Sequence, residues 1–87
     1  MLFAVPRELS IAHFGHPVDV VIDNRDRWYI LYSSGKIVVL KPDLGFEKVI
    51  CDEDGLPASS RKLLHLPLTD DILVGTASDG VYLLRSN

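Results

Sequence analysis

The stretch Asp70–Leu84, DDILVGTASDGVYLL, decides the fold class. An acidic turn leads into the apolar run Ile72-Leu73-Val74. Gly75-Thr76 and a polar turn closing on Gly80 follow, and Val81–Leu84 is apolar again. Each apolar run is too short for a helix, and the spacing is that of a β-hairpin. Gly80 takes the turn position where a side chain is strained, and Gly75 is read as a point of close backbone approach.

Working outward, the same grammar fills the rest of the chain. Strands are expected at 18–22, 28–32, 36–40, 46–51, 62–66, 72–76 and 81–85, joined by turns rich in Asp, Asn, Gly, Pro and Ser. A short helix capped by Ser59-Ser60 is the alternative for 62–66. Phe46–Cys51 alternates, with Phe46, Lys48 and Ile50 on one face and Glu47, Val49 and Cys51 on the other. That mixture marks an outer, partly exposed strand. Trp28, Ile30, Val39, Leu64, Leu73 and Leu83 are the expected core. No helix longer than two turns is expected.

A shift of 45 residues lays Trp28–Gly35 on Leu73–Gly80 and Val18–Ile22 on Leu63–Pro67. Asp26 then meets Asp71, Ser33 meets Ser78, and Gly35 meets Gly80. A period of about 40–50 residues with four strands per unit is that of a β-propeller blade. Residues 18–51 read as a first blade-like repeat and 55–85 as a second, within one domain spanning 1–87 and opened by a strand region at 1–12. The second unit lacks a strand, which Leu2–Val5 is placed to supply.

Gly55–Leu84, GLPASSRKLLHLPLTDDILVGTASDGVYLL, resembles the two-component regulator propeller repeat. Its Gly-Leu-Pro loop, acidic turn, Val-Gly-Thr strand and closing Gly hairpin all have counterparts there. Val18–Leu40 resembles it more loosely. Trp28 holds the family's tryptophan position in the first unit, Leu73 holds it in the second, and Ile30-Leu31 replaces Gly-Thr in the first. The resemblance implies a blade used for ligand or protein recognition, often in a bacterial sensory protein, with no catalytic residue.

Composition sets the remaining bounds. The chain has 87 residues, 47% of them hydrophobic, and a single cysteine, Cys51, so no internal disulfide stabilises its small core. The formal charge of −3 argues against a nucleic-acid partner bound through its phosphates. The N-terminus has no basic flank or cleavage site, and no run reaches the ~20 apolar residues of a membrane span. A cytoplasmic protein is therefore expected.

Candidate chemistry is sparse. His13 and His16 stand three apart, and with His65 or Cys51 they form the one conceivable metal set. Asp52-Glu53-Asp54-Gly55 lacks the alternate ligands of a calcium loop and reads as a solvated turn. Ser59-Ser60, His65 and Asp70 have no spacing that sets an oxyanion hole. Cys51 reads as an inert thiol at a strand end. No metal, no cofactor and no enzymatic activity are expected. Trp28, Tyr29 and Tyr32 are candidate binding or interface residues through ring stacking, and Leu2, Phe3 and Val5 are candidate interface residues.

The expected architecture is all-β, with two four-stranded antiparallel blades forming part of a multi-chain propeller. A small monomeric β-sandwich is the alternative. Two blades cannot close a ring, so a homo-oligomer of about three or four copies is expected. The expected function is a self-associating recognition module for a protein or small ligand. The alternative is a small phage- or plasmid-type interaction or inhibitor protein that docks an apolar sheet edge on a larger partner.

Overall fold

In the computed structural model of the chain, residues 15–51 and 54–85 are described. They form seven strands: β1 (Pro17–Ile22), β2 (Trp28–Tyr32), β3 (Ile37–Leu40), β4 (Phe46–Ile50), β5 (Ser60–Leu66), β6 (Asp71–Thr76) and β7 (Val81–Leu84). The first four make one antiparallel sheet in the order β1-β2-β3-β4, and the last three a second, β5-β6-β7. The segment 62–66, for which a short helix was the alternative, lies within β5. Leu2–Val5, the proposed completing strand, lies outside the described residues. Among the described residues, no helix is long and apolar enough to cross a membrane.

Both sheets follow the chain without crossovers, as tight turns between antiparallel strands dictate. Each is a meander, and the first strands lie together. Asp19 Oδ2 in β1 accepts a 2.7 Å hydrogen bond from the Leu63 amide in β5. The turns after β1 and β5 also meet, at one end of the sheets. At the other end, Gly35 packs on the backbone of Ala58.

The core lies between the sheets. Tyr29, Leu31, Ile37 and Val39 of the first sheet meet Leu63, Ile72 and Val74 of the second, with Leu56 at the margin. A separate cluster, Ile30, Tyr32, Val38 and Leu40, occupies the other face of β2 and β3, with Trp28, Leu44 and Val49 packed against it. Both faces of the two middle strands are thus buried, which accounts for unbroken runs such as WYILY and IVVL.

Three expected core residues are placed differently. Leu64 is 58% exposed and Leu83 42%, while Leu73 is half-buried. These three face one another in register on the outside of the second sheet. Side chains alternate with period two, so the neighbours Leu63, Ile72 and Val74 take the core. The run KLLHL is apolar on both sides of that alternation, and composition alone leaves the parity open. Leu64→Ala, measured in a dilute sample, is therefore expected to change stability by no more than ~0.5 kcal/mol. A loss of several times that in urea denaturation would return Leu64 to the core.

The facing of β4 also changes. A register shift between Val39 and Leu40 pairs Leu40 with Phe46 and Val39 with Lys48. Phe46 therefore shares a face with Val49, not with Lys48 and Ile50, and is half exposed. Gly75 is not a point of forced approach, because a Cβ there would stand 3.5 Å from Lys62 Cβ, an ordinary contact.

Candidate functional site

The most connected polar groups gather where the β1–β2 and β5–β6 turns meet. Asp23 opens the first turn with a side chain only 1% exposed. Its Oδ1 accepts the amides of Arg25 and Arg27, each at 2.9 Å. Its Oδ2 accepts Arg27 Nε at 2.8 Å and the Tyr29 hydroxyl at 3.2 Å. Such a turn follows from the residue type, because a short carboxylate two residues ahead of free amides closes an Asx turn. Asp26 takes the left-handed conformation, at φ 62°, to complete it. Arg27 also reaches Glu47 Oε2 at 3.2 Å and lies 5.7 Å from the centre of the Tyr29 ring.

The electrostatics follow from that wiring. Burial pushes the Asp23 carboxyl up, but the hydrogen bonds from Arg27 and Arg25 outweigh it and hold it below the usual carboxylate range. Burial lowers Arg27 in turn, and the bond to Asp23 more than restores it. Burial pushes the Tyr29 hydroxyl up to about 12, so it remains a donor.

A second set joins the two turns. Asp70, also left-handed at φ 62°, accepts the Asn24 amide at 2.7 Å and lies 2.7 Å from His65 Nε2, both on Oδ1. Asn24 Nδ2 donates to the Pro67 carbonyl at 2.8 Å. The Asn24 amide, and after it His65, hold the Asp70 carboxyl below its ordinary value.

The acid sensitivity follows in sign. Both carboxyls bind protons more weakly in the folded chain than in the unfolded one. Their stabilisation is complete well above the ordinary value of 3.8 and is lost as pH falls through the folded-state values. Urea midpoints are expected to fall steeply below about pH 4, and Asp70→Asn is expected to flatten that fall. An unchanged slope in the variant would remove Asp70 from the account.

What this cluster can do chemically is limited. Asp23 has both oxygens committed, and among the described residues no buried side-chain nitrogen or oxygen lacks a partner. The structure brings His65 to Asp70 but not to the serines. Ser60, at the start of β5, donates to the Pro57 carbonyl, and Ser59 to Asp79. At strand rise, five residues separate Ser60 from His65 by about 17 Å. Cys51 is half-buried, its amide bonded to Asp54. His16 is exposed, whereas His13, Asp52 and Glu53 lie outside the described residues. Among the described residues, no three His, Cys, Asp or Glu side chains are grouped to hold a metal.

The aromatic candidates are dispersed. Tyr29 is 6% exposed and spends its hydroxyl on Asp23, while Tyr32 is 1% exposed on the opposite face. Trp28 is half-buried against the second cluster. Neither tyrosine offers a ring face to a ligand in this chain. Leu2, Phe3 and Val5 lie outside the described residues. The turn at 23–27 follows locally from its Asp and Asn residues, whereas the Asp23–Arg27 pair was not foreseen and nothing local links Asn24 to Asp70.

Compared with family models, with curated proteins and with solved structures, the chain matches none of them significantly.

Proposed function

We propose that the chain is a non-enzymatic, propeller-like recognition module that self-associates, each meander serving as a blade. The supporting observation is that the two sheets share details beyond strand order. Each has a register shift in its first strand, at Pro17/Asp19 and at Ser60/Lys62. Each is tied just before that strand by the same main-chain bond, Ser33 to the His16 carbonyl and Ala77 to the Ser59 carbonyl. Ser59 follows His16 by 43 residues and Ala77 follows Ser33 by 44, so the register offset differs slightly from the 45 of the sequence alignment. The difference arises because identical turn residues, such as Gly35 and Gly80, take neighbouring rather than equivalent turn positions.

Adjacent first strands in successive meanders are the arrangement of neighbouring blades around a propeller axis. The resemblance of Gly55–Leu84 to a propeller repeat points the same way. The polar cluster acts here as a brace between blades, its groups spent on one another. Light scattering coupled to gel filtration is expected to give a mass of about three or four copies, which closes a ring of about six to eight blades. A monodisperse monomer at high concentration would overturn self-association and favour a chain that docks on a larger partner.

A further inference from the structure

The exposed outer face of the second sheet has the same register as the core face of the first. Aligning the two register shifts places Leu64 where the first sheet has Val21, Leu73 where it has Tyr29, and Leu83 where it has Val39. Val81 likewise stands where Ile37 does. In the first sheet these positions are covered by the second sheet. In the second sheet the corresponding Leu64, Val81 and Leu83 are exposed.

The same alignment identifies the surface that fits there. The inner face of the second sheet, which does the covering, carries Leu63 and His65 on β5. Their counterparts on β1 are Val20 and Ile22. Both are exposed, beside Val18. Elsewhere on that face Ile30, Val38 and Leu40 are already buried, so its open apolar positions are the strip along β1 and, across the sheet on β4, Phe46. Within the chain the sheets approach most closely through their first strands, and the strip left open is the one that this contact uses.

We infer that the Leu64–Leu73–Leu83 face binds the Val20–Ile22 strip of a second copy, repeating between chains the sheet-on-sheet contact found within one. This rests on the self-association reading above and assigns its surfaces. The contact is head-to-tail, so each chain presents one donor and one acceptor face. It lacks one polar tie of the internal contact, because Lys62 occupies the position of Asp19, whose carboxylate holds the Leu63 amide. The contact between chains is therefore the weaker of the two and depends on concentration.

Leu64→Glu and Val20→Glu each charge one face at an exposed site, leaving the core untouched. Circular dichroism and thermal melting confirm that each variant folds. With wild type assembled, sedimentation is expected to show each variant alone as a monomer. A mixture of the two is expected to form a complex of twice the chain mass that grows no further, because one intact face of each kind remains. If Val20→Glu alone still dimerises, the Leu64 face pairs with itself and the assignment is overturned. Wild-type mass in either variant, or a mixture that stays monomeric, also overturns it while leaving self-association standing. A monomeric wild type removes both.

Discussion

Asp23→Ala is expected to destabilise the chain by about 3–5 kcal/mol, a large share of what a domain of this size has to lose. The carboxylate is almost wholly buried, and its partner Arg27 keeps only 16% of its side-chain surface in water. Removing the acid strands that guanidinium with Glu47 as its remaining carboxylate. It also leaves two turn amides and the Tyr29 hydroxyl without their acceptor. Leaving donors unsatisfied costs more than losing a solvated pair, which is why truncation at the surface is so much milder. Asp23→Asn keeps an acceptor for the turn amides and is expected to cost less. Chemical denaturation of the two variants decides it, and a loss under ~1 kcal/mol for alanine would mean that the site is wetter than its geometry implies.

Gly35→Ala is expected to cost about 2–5 kcal/mol, from two sources that add at one atom. Gly35 has φ +90°, where any L side chain is strained. Its added Cβ would also stand 2.6 Å from both the Cα and the carbonyl oxygen of Ala58. These are backbone atoms, so relief requires moving the segment that leads into β5. Gly80 supplies the control. Its φ is +85°, yet a Cβ there meets nothing within 4 Å. Gly80→Ala should therefore show only the conformational part, about 1–2 kcal/mol. Equal losses at the two glycines would refute the role given to the Gly35–Ala58 contact.

The strands were legible because turn residues punctuate the chain at short intervals. The seven observed strands lie within two residues of the expected boundaries. Facing was legible only where polar residues alternate with apolar ones. In KLLHL and DILV both parities are apolar, so the assignment of Leu64, Leu73 and Leu83 to the core reversed in the folded chain. In FEKVI each face mixes apolar with charged residues, and a bulge that no residue type announces re-aimed Phe46. The turn opened by Asp23 could be read locally, since its partners lie within six residues. The bond from Asn24 to Asp70 joins residues 46 apart and becomes visible only when two sheets have packed.

The hydrogen bond from the Leu63 amide to Asp19 gives the chain an internal gauge of its own opening. Amides within either ladder stay protected as long as their own sheet is intact. The Leu63 amide points away from its ladder to a carboxylate on the other sheet, so it is shielded only while the sheets remain together. Its exchange with solvent deuterium thus separates two events that a melting curve merges: parting of the sheets, and unravelling of either one.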